Sequence, residues 1–143
     1  MSRTPTRDAS PETFKALLAL DGRLRRSLGS VLYGLVKLRA SQINGCGYCV
    51  DMHATHLEQD GLPPRTIYGV AGWRESPFFD ETQRLALTVT DALTKGIDPI
   101  SDKLWDEAGR LLGEEGRADL LIAIGTITTW NISGLTTHLH PAP

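Results

Sequence analysis

Apolar residues recur every three or four positions along this 143-residue chain, and proline, glycine and capping residues interrupt the repeat at short intervals. Such spacing places apolar side chains on one face of an α-helix. No segment shows the alternating pattern and turn signal of a β-hairpin. Only the Thr-Ile-Thr-Thr run at 126–129 has a strand-like composition. We therefore predict an all-α fold, a compact multi-helix domain with its cysteine pair at the start of a central helix.

The interruptions also predict where the helices begin and end. Residues 1–9 are polar and are predicted to be a flexible tail, followed by a single helical domain at 10–143. The last helix is apolar over most of its circumference, so we expect it in the core or in a subunit interface. The predicted helices cover about 10–28, 30–43, 46–60, 64–73, 80–96, 101–113 and 115 to beyond 130.

Composition argues against several classes of partner. The chain has 15 Lys+Arg against 17 Asp+Glu, a formal charge of -2, and no long run of one sign. This balance disfavours nucleic acid and membrane surfaces. The sequence contains neither an apolar run of about 18 residues nor the apolar core of a signal peptide, so we predict a cytoplasmic protein without a membrane partner.

The most chemically informative stretch lies at 41–53 and contains both cysteines of the chain, Cys46 and Cys49, followed by His53. At about 3.6 residues per turn, these three side chains fall along one helical face, so two thiols and an imidazole can share a small pocket. In a reducing cytoplasm, a lone close-spaced pair either cycles between thiol and disulfide or binds metal.

Redox chemistry is the favoured alternative. A thiolate attacked by peroxide forms a sulfenic acid, which a neighbouring thiol condenses to a disulfide. Four zinc ligands from eleven residues of one helix would not easily surround a tetrahedral ion, and His138 and His140 could join only if the fold brought them back. An inert buried pair is the third alternative. The ligands of the zinc alternative would be Cys46, Cys49, His53 and His56.

Three segments carry a resemblance to a known family. The run Leu-Arg-Ala-Ser-Gln-Ile-Asn-Gly-Cys-Gly-Tyr-Cys-Val-Asp-Met-His at 38–53 resembles the core motif of the AhpD-like alkylhydroperoxidases, in the carboxymuconolactone decarboxylase superfamily. Residues 71–79 and Trp130-Asn131 resemble two further segments of these proteins. The resemblance spans roughly 12–135 and implies an all-helical fold, homo-oligomers from trimers to hexamers, and thiol-dependent reduction of hydroperoxides.

The resemblance also implies roles for the three central residues. Cys49 would attack the peroxide, Cys46 would be its disulfide partner, and His53 would act in the proton relay. The helix dipole alone would favour Cys46 as the more acidic thiol. We follow the family for the peroxide step and expect Cys46 to receive the reductant's electrons. We predict no cofactor and no metal.

One position departs from the family pattern. The relay glutamate of these enzymes lies twelve residues before the first cysteine, and Gly34 occupies that position here. A carboxylate there would act as a general base, so another acid must substitute or the peroxidase is weak. Glu75 and Glu58 are candidates for that acid. Gly34→Glu is expected to raise the rate.

These observations predict a thiol-dependent peroxidase, an oxidoreductase that uses a Cys46/Cys49 dithiol–disulfide cycle. Its predicted partners are a hydroperoxide substrate, a dithiol or protein disulfide reductant, and further copies of itself. Two alternatives follow from the glycine at position 34. One is a thiol–disulfide exchanger or redox sensor, and the other is a non-catalytic oligomeric member of the superfamily.

Overall fold

The fold is known from a computed structural model that describes residues 2–143, and this part of the chain contains helices and no β-strand. The prediction of an all-α fold is confirmed. The α-helices are α1 (Thr6–Ala9), α2 (Pro11–Leu28), α3 (Ser30–Asn44), α4 (Gly47–Gln59), α5 (Pro64–Gly69), α6 (Glu81–Thr94) and α7 (Asp102–Thr136), and a 3₁₀ helix (Val70–Glu75) follows α5.

Glycine and capping residues set most of the helix ends, as predicted. Gly29 follows α2 and Gly45 follows α3, with φ of 85° and 73°. This left-handed region is open to glycine at little steric cost. Asp80 accepts a hydrogen bond from the backbone of Gln83, whose side chain returns one to the backbone of Asp80. This reciprocal capping box fixes the start of α6.

The long helix α7 is broken where the sequence predicted a boundary. Gly113 has φ 74° and ψ 174°, which is not helical backbone. The predicted pair of helices on either side of Gly113 is therefore present, joined without an intervening loop. The predicted helix at 64–73 is instead split into α5 and the 3₁₀ helix, with Gly72 outside helical φ/ψ.

The N-terminal segment is more structured than its polar composition indicated. Within the predicted tail, α1 forms a single turn, and two contacts join the segment to the end of α7. Arg3 donates to the carbonyl oxygen of Thr136 at 2.8 Å, and the hydroxyls of Thr6 and Ser133 are 2.6 Å apart. The mobility of residues 1–9 stays a prediction, and Met1 lies outside the described residues.

Helix α3 is the central element of the fold. It packs against α2, α4, α6, α7 and the 3₁₀ helix, so apolar side chains around most of its circumference are buried. A core of this kind is stabilised by removing apolar surface from water. The larger fully buried side chains include Tyr33, Leu35, Val36, Leu38, Leu57, Leu87, Leu120 and Ile127.

The second half of α7 has one buried face and one exposed apolar face. Ile124 and Ile127 lie in the core, whereas Ile122 and Ile132 are 51% and 61% exposed. The expectation that this helix contributes to the core is confirmed for its buried face. The outer face of the helix is exposed and available for contact with another subunit. No helix within residues 2–143 combines the length and the apolar character needed to cross a membrane.

Candidate active site

The turn between α3 and α4 places the cysteine pair. Gly45 ends α3 in the left-handed conformation, and Cys46 then serves as the N-cap of α4, its sulfur 3.3 Å from the backbone nitrogen of Cys49. The two sulfurs form a disulfide, with the Cα atoms 5.3 Å apart. Cys46 is 1% exposed and Cys49 3% exposed. The pair is therefore an oxidised dithiol buried at a helix N-terminus.

His53 lies one turn after Cys49 on the same helix and is also buried, at 4% exposure. Neither ring nitrogen has a hydrogen-bond partner among residues 2–143. Burial, the charge of Lys37 and the neighbouring His56 lower the pKa of His53 to about 3. The imidazole is therefore neutral at physiological pH, and both of its nitrogens are shielded from solvent.

A cavity of about 320 Å³ opens beside Cys49 and His53. Cys49 is among the lining residues and Cys46 is not, so the disulfide meets the cavity at Cys49. Phe14 and Trp130 bring α2 and α7 together along this wall, with ring centroids 5.2 Å apart. The other lining residues are Pro5, Thr6, Arg7, Leu18, Asp21, Lys37, Tyr48, Met52, His56, Ser133, Gly134 and Leu139.

A polar group that the sequence analysis missed lies in the same wall. The phenol of Tyr33 donates to Asp21 Oδ1 at 2.6 Å, and Lys37 Nζ lies 3.9 Å from Asp21 Oδ2 and 4.2 Å from the centre of the Tyr33 ring. Burial and Asp21 raise the pKa of the Tyr33 phenol, so it is un-ionised and acts as a donor. A lysine between Val36 and Leu38 in an apolar helix was the available sequence signal.

Gly34 lies against α4 rather than in an open space. A Cβ atom built there would be 2.6 Å from Leu57 Cδ2, closer than side-chain carbons approach one another. Leu57 is 1% exposed, so a larger residue at position 34 would have to displace a core side chain. The structure does not bring either candidate acid to the cavity, because Glu58 and Glu75 are exposed and neither lines it.

Gly134 is a second residue that the sequence analysis missed. A Cβ atom there would lie 3.2 Å from the sulfur of Cys46 and 3.5 Å from that of Cys49. Helix α7 thus places bare backbone directly against the disulfide. A glycine near the end of the last predicted helix was the only sequence signal, since a residue without a side chain permits a close approach of this kind.

The motif that includes Trp73 and Arg74 has a structural role. Both side chains donate to Oδ2 of buried Asp91, at 3.3 and 3.4 Å, and Arg39 from the central motif donates to both carboxylate oxygens. Burial opposes ionisation of Asp91, but the hydrogen bonds and charge of Arg39 hold the pKa of that carboxyl below its usual value. Asp91 therefore joins α3, α6 and the 3₁₀ helix.

The histidines divide into two groups. His53 and His56 line the cavity, with ring centroids 6.4 Å apart, whereas His138 and His140 are exposed near the C-terminus and do not line it. Within residues 2–143, no three or more His, Cys, Asp or Glu side chains are grouped so that they could hold a metal ion. The four ligands of the zinc alternative do not form such a group.

Sequence comparison identifies the family. Residues 11–92 match the model of the carboxymuconolactone decarboxylase family. The chain belongs to the carboxymuconolactone decarboxylase family. The matched region contains α2 to α5 and most of α6, and therefore the cysteine pair, His53 and Lys37.

Two family relatives are themselves uncharacterised. YdfG of Bacillus subtilis is 28% identical over 128 residues, covering 87% of this chain and 86% of the relative. YnjA of Escherichia coli is 28% identical over 103 residues, covering 72% of this chain and 57% of the relative. Their similarity supports the assignment to the family but no activity.

Solved structures confirm the AhpD-like resemblance and the fold. A protein of unknown function from Agrobacterium tumefaciens, described as a candidate antioxidant defence protein AhpD, is 37% identical over the whole of both chains with a TM-score of 0.90. A peroxidase-related protein from Silicibacter and the debrominase Bmp8 bound to 2,3,4-tribromopyrrole are 20% and 17% identical. Both have TM-scores of 0.81. Each superposition covers 93% of this chain and 72% of the other chain. At these identities they show a shared fold alone.

Proposed function

We propose that this protein is a thiol-dependent peroxidase that reduces organic hydroperoxides through a Cys46/Cys49 dithiol–disulfide cycle. The observation that carries the proposal is a disulfide whose Cys49 lines a cavity beside a neutral, unpartnered imidazole. The likeness to the AhpD-type protein from Agrobacterium tumefaciens supports the same chemistry.

In the proposed cycle, the reduced Cys49 thiolate attacks one oxygen of the hydroperoxide. The O–O bond breaks, Cys49 becomes a sulfenic acid, and the alcohol leaves after its alkoxide takes up a proton. Cys46 then attacks the sulfur of Cys49, water leaves, and the disulfide forms. An external dithiol supplies two electrons and two protons to restore both thiols. His53 transfers protons within the cavity, because a neutral imidazole both accepts and donates hydrogen bonds.

The cavity favours a substrate with an apolar body. Phe14, Leu18, Met52, Trp130 and Leu139 supply much of its wall, and such side chains gain free energy when an apolar group displaces water. A volume of about 320 Å³ accommodates an alkyl or aryl group beside the reacting oxygens. We therefore expect organic hydroperoxides to react faster than hydrogen peroxide.

The proposed reductant is a dithiol or a protein disulfide reductant. Both sulfurs are almost completely buried, so the reductant must enter through the cavity or displace the segment around Thr6. The earlier expectation that it attacks Cys46 stays a proposal. Of the two cysteines, only Cys49 lines the cavity.

The proposed assembly is a homo-oligomer, a trimer or hexamer, in the cytoplasm. Ile122, Ile132 and Leu135 form an exposed apolar face on α7 and are 51%, 61% and 45% exposed. Apolar residues grouped on one helix face mark a surface that another protein covers. A second copy of this chain is the proposed occupant.

Consumption of cumene hydroperoxide in the presence of dithiothreitol tests the function. Cys49→Ser is expected to reduce turnover to the background level, because it removes the attacking thiolate. Cys46→Ser is expected to form a stable sulfenic acid at Cys49 but to turn over poorly with a dithiol. Mass spectrometry of each variant after one equivalent of peroxide distinguishes the two.

Undiminished turnover in Cys49→Ser would contradict the mechanism. Wild-type protein that exchanges disulfides with a dithiol but consumes no hydroperoxide would favour the thiol–disulfide exchanger instead.

A further inference from the structure

Lys37 is a buried lysine that the proposed peroxidase cycle does not use. Burial lowers the pKa of its ammonium group, and the charge of Asp21 opposes that shift. Its residue exposure is 9%, and it lies in the cavity wall that also contains Cys49 and His53. Lysine is almost never buried without a partner, because removing its charge from water is costly. Its position in the wall of this cavity therefore suggests a role for its charge there.

Two residues hold the ammonium group of Lys37 in place. Asp21 supplies the opposite charge at 3.9 Å, and Tyr33 contributes the face of its ring at 4.2 Å, an arrangement that attracts a cation. The phenol of Tyr33 donates to Asp21 at 2.6 Å, which fixes the carboxylate. Asp21 is an acid in the cavity wall, but both of its carboxylate oxygens already contact Tyr33 or Lys37.

His53 is poorly suited to serve as the counter-ion of a thiolate. A Cys–His ion pair requires the imidazole to hold a proton. Burial and the charge of Lys37 hold the pKa of His53 at about 3 in this disulfide form. Of these two groups in the cavity wall, the lysine is the one suited to be the counter-ion of a thiolate.

We propose that Lys37, positioned by Asp21 and Tyr33, is the cation that stabilises the thiolate of Cys49 in the reduced protein. It does so in place of the carboxylate relay whose position Gly34 occupies. The consequence for peroxide reduction rests on the function proposed above. In that step the thiolate attacks the peroxide, the O–O bond breaks, and the Lys37 ammonium donates a proton to the departing alkoxide. Lys37 then regains a proton through the His53 relay proposed above.

Other charged groups at the cavity are less suited to this role. Arg7 bonds with Asp8 at 3.1 Å and its side chain is 68% exposed, so water and its partner screen its charge. Helix α7 contributes no ionisable side chain to the wall. The titratable groups that face Cys49 are Arg7 from α1, Asp21 from α2, Lys37 from α3, and Tyr48, His53 and His56 from α4.

The pH dependence of iodoacetamide alkylation tests the proposal directly. Measured in a Cys46→Ser background, the reaction reports the single remaining thiol of reduced Cys49. We expect a thiol pKa below the ordinary value of about 8.5. Lys37→Met should raise it by about one unit or more, because the stabilising charge is lost. The alkylation rate at neutral pH then falls by roughly tenfold when the thiolate is the minor form.

Two further variants make the result specific. Lys37→Arg keeps the charge and should retain most of the lowered pKa. Lys15→Met removes an exposed lysine from α2 outside the cavity and should leave the profile unchanged. The proposal is supported when the thiol pKa rises in Lys37→Met but not in Lys37→Arg or Lys15→Met. Identical profiles for Lys37→Met and wild type would overturn it.

The alkylation assay does not depend on peroxide turnover. A Cys49 pKa that requires Lys37, in a protein that consumes no hydroperoxide, would overturn the proposed function and support this proposal. If Lys37→Met fails to fold, as judged by circular dichroism, Lys37→Gln replaces it as a neutral but polar variant. A thiol pKa that rises in Lys37→Gln supports the proposal, and one that stays at the wild-type value would overturn it.

Discussion

At the scale of single residues, His53 connects the chemistry of the cavity with the stability of the fold. The imidazole is buried without a partner beside a lysine, so protonation in the folded state is strongly unfavourable. In the unfolded chain the same side chain binds a proton with a pKa near 6.5. The folded protein therefore carries an acid-sensitive group in its site.

The difference between the folded and unfolded pKa of His53 predicts how the free energy of unfolding depends on pH. Below pH 6.5 the His53 imidazole is protonated in the unfolded chain, whereas in the folded chain it stays neutral until the pH approaches about 3. The free energy of unfolding is thus highest above pH 6.5 and falls as the pH decreases through that window. Between about pH 6.5 and pH 5, His53 should account for a loss of about 2 kcal/mol.

Urea unfolding of the oxidised protein at both pH values measures that loss. His53→Gln should lose less stability than wild type over the same interval, by about the same 2 kcal/mol. His140→Gln is the matched control, because its side chain is exposed and should leave the wild-type dependence intact. Equal losses in wild type and His53→Gln would contradict the low pKa of the buried imidazole.

The residue spacing in α4 predicted part of the site. A helical face common to Cys46, Cys49 and His53 indicated a pocket with two thiols and an imidazole, and the structure places Cys49 and His53 on one cavity. Lys37 and Asp21 were missed. They are 16 positions apart on different helices, and only the packing of α2 against α3 brings them together. Spacing within one helix cannot reveal such a pair.

At the scale of helices, the contact between α3 and α4 depends on the absence of a side chain at Gly34. Glycine costs about 1 kcal/mol relative to alanine in a helix interior. Here that cost permits Leu57 to pack directly on the α3 backbone. The gain in rate expected from Gly34→Glu therefore requires Leu57 to move first.

A double-mutant cycle tests this contact. Gly34→Ala should lower the free energy of unfolding by about 1–3 kcal/mol in the wild-type background, despite the better helix propensity of alanine. In a Leu57→Ala background, which itself costs about 2–5 kcal/mol, Gly34→Ala should instead stabilise by up to about 1 kcal/mol. Chemical denaturation of the four proteins gives the coupling energy. Additive effects would show that Leu57 moves aside freely.

Most helix boundaries could be predicted because local chemistry sets them. Gly29, Gly45 and Gly113 adopt positive φ at helix ends or breaks, and the Asp80 capping box fixes α6. The short helix α1 could not be predicted in this way. Its four residues contain no apolar repeat, and its hydrogen bonds to α7 join positions more than 120 residues apart.

At the scale of the whole molecule, the outer face of α7 determines the expected assembly. Ile132→Arg should convert the proposed homo-oligomer to smaller species, because it would place a charge in the proposed apolar contact. Ile97→Arg is the matched control, since Ile97 is 85% exposed in the segment after α6 and lies outside this face. Light scattering coupled to size-exclusion chromatography measures both masses. An unchanged mass for Ile132→Arg would place the interface elsewhere.

The cavity wall also has a consequence for the newly made chain. Gly134, which covers the sulfurs, follows Cys49 by 85 positions. At ordinary elongation rates of about 5–20 residues per second, the ribosome needs roughly 4 to 17 s to add them. During that interval the thiols lack their α7 cover and are open to passing oxidants and to other nascent chains. The part of the protein proposed to react with peroxide is thus synthesised early and shielded among the last.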